Sequence, residues 1–252
     1  MLPKINPEKF KSLSEAKTID HKLFPGKAIE PLLIRLRGVY MDRNGKVLDE
    51  NQVREYLAEL DQELVIKPDS GRQGKGILFL DSNDINLEKL PAETDLVFQE
   101  VVSQHASLKE IYPHSVNTFR VFTHLKKGGE IDIKFINLRF GQGGLKVDNV
   151  SRGGFWVSID IDGKTKGPIL DEFGIKVGVS HPDTGFNLSN IKISFIDEII
   201  YLCKESHKMF PYVGLIGWDI CVDENGHPFI LEWNASNPWF WDIEANYGPL
   251  FL

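Results

Sequence analysis

Residues 217–234 read GWDICVDENGHPFILEWN. Two apolar runs, 215–222 and 229–233, flank the turn-forming cluster Asp223, Glu224, Asn225, Gly226, a pattern that predicts an antiparallel hairpin. Side chains alternate along a strand, so Glu232 and Asn234 project to one side, and Asp219 joins them where it lies opposite Glu232. Two carboxylates and an amide would then converge. Like charges opposed on a half-buried sheet repel, and burying them unpaired is costly, so positive charge is expected among them. A hard cation such as Mg²⁺, held by one or two carboxylates and completed by water and phosphate oxygens, meets that need. Taken alone, an ordinary hairpin with rim carboxylates has the same sequence, so the rest of the chain decides.

The 252 residues suffice for one large core or two modest ones, and 42% hydrophobic with 26% charged residues is the balance of a globular protein. A net charge of −7 speaks against a nucleic-acid surface, which needs a basic stripe. Cys203 and Cys221 fall in apolar segments, where thiols act as small hydrophobes, and they suggest neither a disulfide framework nor a zinc site. The N-terminal residues have no apolar signal core and no later run reaches membrane-spanning length, so a cytoplasmic protein without a membrane span is expected.

Residues 64–80, LVIKPDSGRQGKGILFL, read as strand, glycine loop, strand. A Walker loop needs Ser or Thr after Gly-Lys and then a helix, but Gly76 follows Lys75 and a β-type run comes next; a Rossmann turn fails because it too opens a helix. What remains is a hairpin loop whose N–H groups near Gly71, Gly74 and Gly76 can approach phosphate oxygens, with Lys67 reaching in from the strand. A plain glycine hairpin with a surface lysine satisfies the same residues. LVFQEVV, 96–102, is a further β-type run. Residues 115–125 and 131–141 form two more, each with a mid-strand arginine, Arg120 and Arg139. Arginine there calls for an anion, either phosphate or carboxylate of a ligand or an internal salt bridge. Asn149, Ser151, Arg152 and the Gly153-Gly154 backbone make an anion-binding rim. Residues 189–209 carry apolar positions at helical spacing, with Ser189 or Asn190 as N-cap, and this helix should pack under the carboxylate hairpin. The tail is aromatic: Trp239, Phe240, Trp241 and Tyr247 are either core, a protein contact, or a platform for a sugar ring.

Together these elements resemble the ATP-grasp superfamily, an α+β fold in which two α+β subdomains clasp Mg-ATP between antiparallel sheets. Lys67 in VIKP looks like its phosphate-contacting lysine, GRQGKG with Gly71, Gly74, Lys75 and Gly76 like its flexible loop, and Gln99, Glu100, Val101 and Val102 like the hinge that touches adenine. Asp219, Glu232 and Asn234 look like its metal-binding acids and amide. More narrowly, NTFRV, VDNVSRGG, HPDTG, GWDI and ILEWN are similar to the sugar-transfer-associated group, also called α-L-glutamate-ligase-related. Against that resemblance the usual pre-grasp domain is expected to be shortened, with IDHKLF and its Lys22 the one piece that aligns.

The resemblance implies a lead-in over 1–60, a small lid subdomain over 61–102 and a large metal-bearing subdomain over 103–252. It also implies ATP and Mg²⁺ as cofactors, and carboxylate–amine ligation through an acylphosphate. Arg120, Arg139, Asn149 and Arg152 are the expected catalytic residues. The partners are a small-molecule acid and amine, with a glycan as one candidate acceptor. A sugar or small-molecule kinase on the same fold, and a nucleotide-binding module without turnover, are the alternatives.

Overall fold

The computed structural model describes residues 5–71, 74–238 and 241–250. Arg72 and Gln73 of the glycine loop, Trp239, Phe240 and the side chain of Trp241 lie outside the described residues, and with them the expected sugar platform apart from Tyr247, whose ring packs on Phe135 and Trp156. The chain divides into two compact units, Glu15–Val102 and a second made of Met1–Ser14 with Ser103–Leu252.

The first unit is a six-stranded antiparallel sheet, ordered β3-β2-β1-β6-β4-β5. Its strands are β1 (Leu33–Leu36), β2 (Val39–Asp42), β3 (Val47–Leu48), β4 (Glu63–Pro68), β5 (Leu78–Asp81) and β6 (Leu96–Glu100). Helix α1 (Glu50–Leu60) begins at a capping box in which Asp49 accepts from the Gln52 N–H at 2.9 Å and Gln52 accepts from the Asp49 N–H at 3.0 Å. Val53 and Leu57, one turn apart, bury the same helix face against Leu33, Leu64, Ile66 and Phe98. Alternation leaves Val65, Lys67, Val97 and Gln99 on the opposite face of the paired strands β4 and β6. The lead-in expected over 1–60 is corrected here. β1 pairs with β6 through Leu33 and Phe98, and residues from Glu15 onward belong to the same compact unit as the glycine loop. Strands of four, four and two residues carry too short an alternation to stand out in the sequence.

The second unit is a seven-stranded antiparallel sheet, ordered β11-β10-β9-β8-β7-β12-β13. Its strands are β7 (Thr118–Leu125), β8 (Ile131–Phe140), β9 (Phe155–Ile159), β10 (Thr165–Leu170), β11 (Lys176–Gly178), β12 (Leu215–Val222) and β13 (Pro228–Asn234). Helix α2 (Ala106–Ile111) precedes β7, α3 (Ile196–Met209) precedes β12, and α4 (Trp241–Tyr247) follows β13. Every residue of β12 is buried. α3 packs on β7, β8, β12 and β13, held by a buried polar chain: the Trp218 indole N–H donates to Thr123 Oγ1 at 2.7 Å, and Thr123 Oγ1 lies 2.7 Å from His207 Nδ1. His207 Nε2 lies 2.9 Å from the Val213 carbonyl, which assigns its proton to Nε2 and leaves Nδ1 to accept from Thr123. Trp218 also stacks on Trp233 at 6.4 Å, and Trp233 meets Phe210 edge-on at 5.0 Å. Cys203 and Cys221 are both buried as thiols.

The helix expected over 189–209 begins only at Ile196, without a side-chain cap. Asn190 is left-handed (φ 55°), and Ile191 and Ile193 bond instead to Thr165 and Gly163 beside β10. An extended apolar run at the helix entrance therefore mimics a first helical turn. At the N-terminal end, Asn6 is fully buried. Its Nδ2 donates to the Leu215 and Ala235 carbonyls at 2.7 and 2.8 Å, and its Oδ1 accepts from the Gly214 and Leu215 N–H groups at 3.0 and 2.9 Å. Ser14 Oγ accepts from the Ala235 N–H at 3.1 Å. Among the described residues no helix is long and apolar enough to cross a membrane.

Candidate active site

The hairpin of β12 and β13 turns at Asp223–Gly226, where Asp223 Oδ1 accepts from the N–H groups of Asn225 and His227. Its register sets Asp219 opposite Glu232 and Gly217 opposite Asn234, with a bulge just beyond Asp219 that makes Leu231 the extra residue. Asp219 faces away from Trp218 and hence away from α3. On that face the pairings run in one row across five strands: Glu232 opposite Asp219, Asp219 opposite Arg120, Arg120 opposite Asn137, and Asn137 opposite Ser158.

The carboxylate of Asp219 is held by two arginines. Arg120 binds it in a fork, Nε to Oδ1 at 2.6 Å and Nη2 to Oδ2 at 3.0 Å, while Nη1 donates to the Pro238 carbonyl at 3.0 Å. Arg139 Nη2 lies 3.0 Å from Asp219 Oδ1 and 3.5 Å from Asp148 Oδ2, and it donates to Thr118 Oγ1 at 2.8 Å. Thr118 in turn donates to Asp148. The internal salt bridge allowed for Arg120 and Arg139 is therefore present, with Asp219 and Asp148 as its anions. Burial works against ionisation of Asp219, but Arg120 and Arg139 outweigh it and hold its pKa below the usual carboxylate value. At Asp148 burial prevails over Arg139 and Thr118 and moves its pKa upward. Burial lowers the pKa of Arg139, and Asp219, Asp148 and Glu232 more than restore it.

Asp219, Glu232 and Asn234 converge in this register, with Asn234 Nδ2 3.4 Å from both Asp219 Oδ2 and the Gly217 carbonyl. Among the described residues no three His, Cys, Asp or Glu side chains gather into a metal cluster. What the hairpin offers is two carboxylates and an amide, an all-oxygen set suited to a hard divalent cation that draws its other ligands from water and phosphate. Three carboxylates, on Asp219, Asp148 and Glu232, stand against two guanidinium groups, so the cluster has room for further positive charge. The residues fit Mg²⁺ on these grounds.

The loop after β8 is anchored by Asp148, one residue before the predicted rim. Asn149 Oδ1 accepts from the Ser151 N–H at 3.0 Å and from its hydroxyl at 2.8 Å, which closes a turn with Arg152 exposed on it. A Cβ on Gly154 would lie 2.7 Å from the Asp148 carbonyl and 3.0 Å from that of Phe140, so only glycine passes there. The HPDTG loop clips the same segment. His181, buried and stacked on Tyr112, lies with Nε2 2.9 Å from the Gly141 carbonyl, Asp183 accepts from the Gly143 N–H at 2.5 Å, and Thr184 donates to the Ile111 carbonyl at 2.9 Å.

In the first unit, Lys67 and Gln99 share one sheet face at neighbouring positions of β4 and β6. Glu100 ends β6 exposed, with Val101 and Val102 half-buried after it. Gly74 and Gly76 are left-handed (φ 64° and 75°), and a Cβ on Gly76 would strike Pro68 at 2.9 Å. Lys17 Nζ donates to the Gly71 carbonyl at 2.7 Å, and the Thr18 N–H donates to Asp69 at 2.7 Å, so an earlier segment clasps one end of the loop. Lys75 and Lys22 are exposed. Sequence reasoning missed Asp148, Thr118, Asn137 and Lys17, whose importance comes from cross-strand or long-range neighbours with no local pattern to show it.

Two antiparallel α+β units, one carrying a glycine-loop hairpin beside a lysine and the other a carboxylate–amide hairpin, define the ATP-grasp class. Residues 6–248 match the sugar-transfer associated ATP-grasp family, and the chain belongs to it. No curated protein matches the sequence. Among solved structures, the D-cycloserine synthetase DcsG is similar at TM-score 0.55 and 13% identity over 93% of this chain and 66% of that one. The ATP-grasp ligase PsnB, complexed with a phosphomimetic variant of its minimal precursor, Mg and ADP, is similar at 0.54 and 16% over 96% and 56%. A biotin carboxylase–βγ-ATP complex from Campylobacter jejuni is similar at 0.54 and 12% over 92% and 42%. The chain spans about half the length of the solved structures it matches, 58% and 47% of two of them, and at these identities the likeness bears on fold alone.

Proposed function

We propose that this chain is an ATP-dependent carboxylate–amine ligase that works through an acylphosphate. The observation that carries the proposal is the buried arginine pair on Asp219, set on the same sheet face as Glu232 and Asn234. Phosphoryl and acyl transfer are largely matters of positioning and charge neutralisation. Arg120 and Arg139 would neutralise the transferring phosphoryl group and the substrate carboxylate, and Asn149 and Arg152 would line the substrate rim. Lys67 and the backbone N–H groups of Gly71, Gly74 and Gly76 would hold phosphate oxygens, Lys75 would add charge beside them, and Gln99 to Val102 would seat adenine largely through backbone groups. Asp219, Glu232 and Asn234 would hold Mg²⁺, which when bound supplies charge to the phosphate oxygens. In the second step the amine lone pair forms the C–N bond at the activated carbonyl. The C–O bond to phosphate breaks with its electrons on phosphate, which also takes the N–H proton. The proposed pairing is an amino acid with a glycan or other small acceptor, and the family description, sugar-transfer associated, supports a sugar-bearing one.

Incubation with ATP and a panel of acids and amines tests this reading. A ligase releases ADP and free phosphate only when acid and amine are both present. A kinase needs one acceptor and releases no free phosphate, and that result would overturn the assignment.

A further inference from the structure

We propose that Asn137 receives the incoming amine, its Oδ1 accepting an N–H of the nucleophile; this inference rests on the ligase reading above. Asn137 is only 4% exposed, yet its Oδ1 is buried with no hydrogen-bond partner among the described residues. Buried acceptors in native structures are nearly always satisfied, and an orphan is destabilising unless something outside the chain meets it. Asn137 lies mid-strand on β8, directly opposite Arg120 and two residues from Arg139 on the same face. Among the described residues it is the one orphan that falls in the row running from Glu232 to Ser158. Its other neighbour in the row, Ser158, is engaged with the Tyr247 hydroxyl.

The chemistry of the row selects the ligand. Guanidinium groups attract phosphate and carboxylate, so Arg120 and Arg139 suit the activated acid. Asn137 Oδ1, a carbonyl oxygen, repels anions and accepts from N–H, so this atom suits the N–H of a neutral amine. Adjacent row positions would thus recognise the two halves of the bond to be formed, and Asn137 would orient the nitrogen lone pair without itself exchanging a proton.

Asn137→Leu keeps the branched shape of the side chain and removes the orphan acceptor. The variant without ligand is expected to melt about 2–4 °C higher than the wild type, because no described residue bonds to that oxygen. Hydroxylamine serves as the amine probe, forming a ferric-detectable hydroxamate with whichever acid supports turnover. The KM for hydroxylamine should rise at least about tenfold in Asn137→Leu with the KM for ATP unchanged. A lower melting temperature for Asn137→Leu would show that the amide is structural, and an unchanged KM for hydroxylamine would show that the oxygen does not meet the nucleophile. Either result overturns the inference and leaves the ligase reading standing. Failure of the unsubstituted protein to form hydroxamate with any acid overturns the ligase reading itself, and the inference with it.

Discussion

Acidification should weaken the grip of α3 on the sheet through one residue, His207. Burial, with a smaller contribution from nearby His124, lowers its pKa from 6.5 to about 4 against the opposing hydrogen bond to Val213. The neutral ring is what the surroundings require, since Nδ1 must accept from Thr123 while Nε2 donates to Val213. An unfolded chain takes up a proton at this histidine near pH 6.5, whereas the folded one resists until about pH 4. The stabilisation is therefore complete above pH 6.5, declines as pH falls through that window, and is exhausted below about pH 4. A difference of about 2.5 pH units corresponds to about 3 kcal/mol, lost at up to about 1.4 kcal/mol per pH unit. Urea unfolding of wild type and His207→Gln at half-unit steps from pH 7.5 to 4 reads this directly, because the carboxylates contribute to both curves and cancel in the difference, and His124 cancels apart from its small coupling to His207. The wild type should lose stability more steeply than the variant by close to one proton's worth between pH 6 and 4.5. Parallel curves would mean that native His207 protonates freely, and the buried chain from Trp218 through Thr123 to His207 would not restrain its charge.

Glu232→Gln changes charge and hardly volume, so it should fold normally yet lower turnover by on the order of 10²-fold, measured as ADP release with ATP and both substrates. Arg139→Met should destabilise the second unit by about 3–5 kcal/mol in urea unfolding, because Asp219 and Asp148 lose a shared buried cation. Gly154→Ala should cost about 1–3 kcal/mol, seen as a lower melting temperature, since its Cβ would press on three carbonyl oxygens, of Asp148, Asn149 and Phe140, in a loop pinned at Asp148.

The carboxylate hairpin was legible because its signals are local. A four-residue turn cluster between two alternating runs fixes the register closely enough to set Asp219 against Glu232. The glycine loop was legible for the same reason, as strand, turn and strand lie within one short stretch. What neutralises Asp219 was not legible. A cation was expected there, and the structure supplies Arg120 and Arg139 from strands that come alongside only when the sheet assembles. Arg120 and Arg139 could be read as needing an anion, but the identity of that anion lay 99 and 80 residues away in the chain. Asn137 and Asp148 looked like ordinary polar residues of a strand and a loop, and only burial beside the arginines gives them meaning. The late start of α3 was missed because Ile191 and Ile193 repeat its apolar spacing while pairing with neighbours as extended chain.

The bonds made by Asn6 have a consequence for how the protein is born. They join residues 208 to 229 positions apart, and every carbonyl and N–H that Asn6 meets belongs to β12, its entrance or the exit of β13. During synthesis, residue 6 must wait until residue 235 has left the ribosome, while the whole of Glu15–Val102, with its own sheet and core, has emerged long before. Domains tend to fold as units during synthesis. A nascent chain halted short of residue 215 would therefore hold the first sheet complete and the second open along the strand that carries Asp219. Pulse proteolysis of stalled nascent chains would find the larger unit protected only once both of its distant pieces are in solution together.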